Sequence, residues 1–175
     1  MTEVDIKSLV RQAIDLLKES CLDKKIEIQL RTYSSVPAIS CHEPLMYRAV
    51  VNLLSNALKY TPRGGEIEVS IHAYFNKRGT GVLEISFRDT GIGIWEEDRE
   101  KIFQPYYRGK NVSSEEGKGL GLSFVKEVVD LHGGKILVQS EPNAGSIFSI
   151  LLPVKDVSQE EHQKIYQEVS SPSNN

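Results

Sequence analysis

Asn52-Leu53-Leu54-Ser55-Asn56-Ala57-Leu58-Lys59-Tyr60-Thr61-Pro62-Arg63-Gly64-Gly65 closes the longest helical pattern in the chain. The pattern starts at Glu43, with Pro44 tolerated in its first turn, and breaks at Thr61-Pro62-Arg63-Gly64-Gly65, where proline lacks an N–H and two glycines free the backbone. Met46, Val50, Leu53, Leu54, Ala57 and Leu58 fall on the core side, while Asn52, Asn56 and Lys59, spaced four and three apart, share a second stripe. An amide left unpaired against an apolar surface costs about 1–3 kcal/mol, so that stripe calls for partners. Amide oxygens suit a hard cation such as Mg²⁺, which takes one or two protein oxygens beside phosphates and water, and Lys59 can neutralise phosphate next to it. An exposed polar stripe on an amphipathic helix gives the same pattern.

Upstream of this helix, Val4 to Ser20 carries apolar residues at mostly helical spacing and reads as an amphipathic helix. Ile26 to Leu30 alternates with period two, and Val36 to Ser40 is a short apolar run whose Pro37 places it at an edge. Downstream, Glu66 to Phe75 and Val82 to Arg88 read as strands joined by a hairpin loop, Asn76 to Gly81. Gln104 to Lys118 is polar with little periodicity. Leu120 to Leu131 is helical again and stops at Gly133-Gly134, and two last strands are predicted at Lys135 to Ser140 and Ser146 to Leu152. The order predicts a two-layer α/β sandwich, with a mixed sheet of about five strands covered on one face by about three helices. Residues 154–175 are rich in Ser, Gln, Glu and Asn and read as a partly disordered polar tail with one short helix around Gln159 to Gln167.

Three further segments carry chemistry. Asp89-Thr90-Gly91-Ile92-Gly93-Ile94 follows a strand directly, so a carboxylate at the strand's carboxyl end can face a ligand while Gly91 and Gly93 let the backbone turn tightly against it. An adenine amino group suits that acceptor. Asp-Thr-Gly is also a plain turn, and it occurs in aspartic proteases, which need a second such aspartate; this sequence has no second Asp-Thr-Gly. Gly117-Lys118-Gly119-Leu120-Gly121-Leu122 opens into a helix, where unpaired amides and close backbone approach favour phosphate, although a glycine cluster is equally a turn. Ile102-Phe103-Gln104-Pro105-Tyr106-Tyr107-Arg108 brings an arginine to the entry of the polar stretch, as a lid would, or packs an aromatic cluster beside a surface arginine.

Composition narrows the class. The 175 residues fit one domain, 39% apolar and 26% charged, and the net charge of −3 gives no support to non-specific binding of nucleic acid or anionic membrane. Cys21 and Cys41 form no CxxC pair, which predicts free thiols in a reducing compartment. No apolar run approaches the roughly 20 residues of a membrane span and the start has no signal-peptide succession, so the expected setting is soluble and cytoplasmic, within a parent that could be membrane-anchored.

In their order, the four segments resemble the N, G1, F and G2 boxes of two-component sensor histidine kinases, within the superfamily that includes gyrase B, MutL and the heat-shock chaperone ATPases. The resemblance covers Val4 to Pro153, and the run from Asn52 through Lys59-Tyr60-Thr61-Pro62 to Gly65 is its most specific part. It implies a Bergerat-type sandwich, residues 1–153 as the catalytic ATP-binding domain, and ATP with Mg²⁺ as ligands. By the same resemblance, Asn52 and Asn56 hold Mg²⁺ and phosphate, and Lys59 and Tyr60 contact phosphate or ribose. Asp89, supported by Gly91, Gly93 and Ile94, bonds the adenine amino group, with Ser146 matching a hydroxyl position nearby. Arg108 reaches the γ-phosphate from a lid that should be disordered without nucleotide. Gly117, Lys118, Gly119, Leu120, Gly121 and Leu122 form hinge and cradle, and Asn52, Lys59 and Arg108 carry the catalytic contribution.

The resemblance further implies γ-phosphoryl transfer to a histidine on a separate dimerisation/phosphoacceptor domain, joined through the Val4 to Ser20 helix, with a response regulator as indirect partner and the isolated domain monomeric. A nucleotide-sensing module and a serine kinase of the anti-sigma type are the alternatives, the latter disfavoured by Lys59-Tyr60-Thr61-Pro62. Trp95 stands where the family usually has proline, which puts the next helix start in question and could bring a large ring near the nucleotide. His42-Glu43-Pro44 only superficially matches an acceptor motif, and His72, His132 and His162 read as surface or structural histidines.

Overall fold

The computed structural model describes residues 1–33, 35–76, 80–109 and 118–154. The chain opens with a short strand, β1 (Thr2–Val4), so Val4 lies before the first helix and not in it. That helix, α1 (Ile6–Asp23), starts where it does because the Asp5 carboxylate caps it, accepting the Ser8 N–H at 3.2 Å and the Ser8 hydroxyl at 2.7 Å. It runs three residues beyond the expected Ser20 and buries Ile6, Leu9, Val10, Ala13 and Cys21.

Two strands follow, β2 (Glu27–Thr32) and β3 (Ile39–Cys41). Of the apolar run 36–40, only its end is strand, since Pro37 has no N–H to offer a ladder, and β3 leaves the main sheet to pair antiparallel with β1. The long helix α2 (Glu43–Tyr60) has the expected limits. His42 caps it by accepting the Leu45 N–H on Nδ1, and Met46, Ala49, Val50, Leu53, Leu54, Ala57 and Leu58 are buried along one face. Burying each of the larger of these side chains contributes about 1.5–3 kcal/mol.

The remaining elements are β4 (Glu66–Phe75), β5 (Gly81–Asp89), two 3₁₀ turns at Glu96–Asp98 and Lys101–Phe103, α3 (Gly121–Leu131), β6 (Lys135–Glu141) and β7 (Gly145–Val154). Five strands form one mixed sheet in the order β2-β4-β5-β7-β6, with β2 parallel to β4 and the other pairs antiparallel. The inner face, including Ile67, Val69, Ile71, Leu83, Ile85, Phe87, Ile150 and Leu152, is buried under three helices, with α2 packed between α1 and α3. This is the expected two-layer α/β sandwich with its helices on one face. Arg48 lies over the Phe124 ring at 4.4 Å and ties α2 to α3.

Cys21 and Cys41 are free and buried, and burial raises both thiol pKa values, which disfavours the reactive thiolate. Among the described residues no helix is long and apolar enough to cross a membrane. Of the expected lid between Gln104 and Lys118, residues 110–117 lie outside the described residues, as do positions 77–79 of the expected hairpin loop and residues 155–175 of the expected tail, with the expected helix around Gln159 to Gln167.

Candidate functional site

A cavity of about 400 Å³ opens between α2, the carboxyl end of β5 and the start of α3, within the range of small-molecule sites. It is lined by Asn52, Asn56, Lys59, Tyr60, Asp89, Gly93, Ile94, Arg108, Lys118, Gly119, Leu120, Gly121, Leu122 and Ser146 from the residues singled out in the sequence. Helix stripe, acidic turn, arginine and glycine hinge therefore converge. Gly91 is not part of the lining, and Gly117 lies outside the described residues. Ala57, Ile92, Ile102, Tyr107, Gly109 and Phe148 complete the wall, most of them apolar or aromatic surface on which a flat ring can rest.

Asp89 forms the floor. As the last residue of β5 it alternates inward with Leu83, Ile85 and Phe87, pairs with Ser146 of β7 and is 7% exposed. Its carboxylate accepts the Gly91 N–H at 2.8 Å. Burial raises its pKa, opposed by the backbone N–H groups of Gly91 and Ser146, which favour the charged form. Gly91 therefore works from behind the floor: a Cβ there would come within 2.6 Å of the Asp89 Oδ1 and 2.7 Å of the Tyr60 carbonyl oxygen. Gly93 has φ +67°, and a Cβ on it would run into the Glu141 carbonyl, so only glycine fits. Ser140, which the sequence suggested only as a strand end, braces this side. Its hydroxyl accepts the Ile94 N–H at 2.9 Å, donates to the Gly145 carbonyl at 2.8 Å and lies 3.0 Å from the Ser146 hydroxyl.

The opposite wall is α2. Asn52, Asn56 and Lys59 are half-buried there, with the Lys59 ammonium 4.9 Å from the centre of the Tyr60 ring. Asn52 faces the start of α3, where a Cβ on Gly121 would lie 3.5 Å from the Asn52 Oδ1. Among the described residues no side chain caps the amino end of α3, and first-turn amides have no partner within their own helix. Gly119, at φ +70°, sits against the backbone of Tyr106 and Tyr107, and its carbonyl accepts the Tyr106 N–H at 2.9 Å. That bond joins the two ends of the segment that begins at Arg108. Tyr107 donates its hydroxyl to the buried Asp98 at 2.7 Å, which raises the phenol pKa. Among the described residues no three His, Cys, Asp or Glu side chains gather as a metal site, and the cavity lining includes the amide side chains of Asn52 and Asn56.

A family model described as "Histidine kinase-, DNA gyrase B-, and HSP90-like ATPase" matches residues 41–156. The chain belongs to this ATPase family. The adaptive-response sensory kinase SasA of Rippkaea orientalis is 38% identical over 146 residues, which is 83% of this chain and 36% of that protein. The chain thus spans little more than a third of this relative. Among solved structures, the nucleotide-free catalytic domain of histidine kinase ThkA is similar at a TM-score of 0.76 and 27% identity, over 89% of this chain and 98% of that one. Full-length ShkA in complex with AMPPNP is similar at a TM-score of 0.72 and 27% identity, over 90% of this chain and 32% of that one.

The protein is accordingly a histidine-kinase-type ATPase domain with the Bergerat α/β fold, of the kind found in two-component sensor kinases. In this ATPase domain Trp95 is 47% exposed, does not line the cavity, and precedes a 3₁₀ turn rather than an α-helix. The residues that sequence reasoning missed, Ser140 and the Asp98–Tyr107 pair, act through spatial neighbours far along the chain or across a turn. A buried aspartate in the charged run 96–100 was the one local hint.

Proposed function

We propose that this ATPase domain binds Mg-ATP in the cavity and donates the γ-phosphoryl group to a histidine on a separate dimerisation/phosphoacceptor domain, with residues 1–153 as the catalytic unit and a cytoplasmic setting. The observation that carries the reading is the convergence of a buried acceptor, an amide-bearing helix face and an uncapped helix start on one cavity. The kinship with sensor kinases and the likeness to ShkA, whose structure is a complex with AMPPNP, support it.

In this reading Asp89 accepts the adenine amino group, with Ile94 and Phe148 against the ring. Tyr60 and Lys59 meet the ribose and phosphates, and the amides that open α3 take phosphate oxygens. Asn52 and Asn56 hold Mg²⁺, which when bound neutralises phosphate charge and aligns the transferred group. Arg108 adds charge from the mouth of the site. An acceptor imidazole is itself the nucleophile, so these residues contribute position and charge stabilisation rather than a base.

The test is calorimetric titration with ATP in the presence and absence of Mg²⁺. Asn56→Ala is expected to weaken binding at least about tenfold when Mg²⁺ is present while shifting stability by no more than about 0.5 kcal/mol. Undiminished affinity in that variant overturns the metal assignment. Radiolabelled ATP supplied with a phosphoacceptor domain then separates the outcomes: acid-labile label on the acceptor supports histidine transfer, retained nucleotide without label makes the domain a sensing module, and acid-stable label makes it a serine kinase.

A further inference from the structure

Helix α2 ends beside the cavity, and its last turn delivers Lys59 and Tyr60 to it. The final carbonyls of an α-helix have no partner inside the helix. Here all four are taken. Ala57 accepts the Thr61 N–H at 3.0 Å and Tyr60 the Ile92 N–H at 3.2 Å. The carbonyls of Leu58 and Lys59 both accept from the ammonium of Lys24, at 2.8 and 3.0 Å, and the same ammonium donates to the Thr61 carbonyl at 3.2 Å. An ammonium has three N–H bonds, and Lys24 spends one on each carbonyl. Its charge also sits at the negative end of the α2 dipole.

Lys24 follows directly on α1 and does not line the cavity. The two helix ends are bound in return, by the Gly64 N–H to the Lys24 carbonyl at 3.1 Å, the Arg63 guanidinium to the Asp23 carbonyl at 2.8 Å and the Glu27 N–H to the Gly65 carbonyl at 3.2 Å. The Tyr60–Ile92 bond links the end of α2 to the turn after Asp89, but Asp89 and Ser146 themselves are held in the sheet by the β5–β7 pairing, without Lys24.

We infer that Lys24 is a positioning residue of the nucleotide site, closing the carboxyl end of α2 so that Lys59 and Tyr60 are held toward the phosphate-bearing part of the ligand. The inference rests on the ATP reading above. Removing the ammonium strips the partner from three carbonyls in and after the last turn, and the turn that carries Lys59 loosens. Asp89 keeps its place. The loss therefore falls on ligands with phosphates and spares adenosine, a split that a general loss of stability does not produce.

The experiment titrates Mg-ATP and adenosine by calorimetry and ligand-observed NMR into the wild type, Lys24→Gln, Lys24→Met and Lys24→Arg, with melting temperatures measured alongside and all titrations made well below them. Lys24→Gln and Lys24→Met are expected to weaken ATP about tenfold while adenosine changes by less than about twofold. Lys24→Arg, which keeps charge and donors, is expected to retain more ATP affinity than either. Equal weakening of both ligands, or an unchanged ratio, overturns the inference, as does failure of both neutral variants to fold, which makes the lysine structural only. A wild type that binds neither ligand defeats the ATP reading itself, a result distinct from an unchanged ratio in a wild type that binds both.

Discussion

The two walls of the cavity are built on opposite plans. On the sheet side the polar groups are already engaged: the Asp89 carboxylate with the Gly91 and Ser146 N–H groups, and the Ser140 hydroxyl with Ile94, Gly145 and Ser146. On the α2 side, among the described residues, the side-chain amides of Asn52 and Asn56 make no hydrogen bond within the protein. The first wall is a fixed template whose shape is determined before any ligand arrives. On the proposed ATP reading, the amides of Asn52 and Asn56 on the second wall contribute to binding without contributing much to stability. Preorganised recognition of a neutral ring and adaptable neutralisation of charge call, on the proposed ATP reading, for these two constructions.

Changes on the sheet side should therefore alter the stability of the fold, in either direction, as well as ligand binding, and the largest effect is expected at Gly93. Gly93→Val forces a branched side chain into positive φ and against the Glu141 carbonyl, at a cost of at least about 3 kcal/mol. Chemical denaturation should show that loss, together with no measurable ATP binding. A Gly93→Val protein as stable as the wild type would break the comparison.

Asp89→Asn sharpens it. Burial raises the Asp89 pKa in the folded state, so the wild type loses stability as pH rises from the ordinary carboxylate range through that raised value. The variant should melt higher than the wild type at neutral pH, with the difference vanishing in acid below the unfolded carboxylate pKa, while its ATP affinity falls about a hundredfold. Scanning calorimetry across pH checks the first part and titration the second. The smallest effect belongs to the mouth of the site: Tyr107→Phe, which takes a donor from Asp98, is expected to lower ATP affinity by less than about threefold in the same titration.

The elements legible in the sequence were those whose signals are local. α2 was readable to the residue because Pro44 and Thr61-Pro62 punctuate it and its apolar period is unbroken, and β4 to β7 were readable from alternation and glycine turns. Val4 was misread as helical since its partner, Ile39 in β3, is 35 positions away and no local pattern announces the pairing. The site divides in the same way. Asn52, Asn56, Lys59, Asp89 and the glycine hinge lie within short motifs, whereas Ser140 matters only because β6 brings it beside Ile94. Gly91 belonged to a motif yet stands behind the lining, since a motif fixes which residues are needed but not which of them face the ligand. Lys24 was legible only as a basic residue after a helix. That three carbonyls from another helix meet it depends on the packing of α1 against α2.

The placement of the single tryptophan gives the molecule a built-in optical gauge. Trp95 stands half in solvent directly after Ile94, whose N–H is anchored to Ser140 and whose side chain lines the cavity. Indole emission depends on how much water surrounds the ring, so its wavelength registers rearrangement at the rim of the site in unlabelled protein. Stopped-flow mixing with ATP, followed by Trp95 emission, is accordingly an experiment that leaves the native sequence intact.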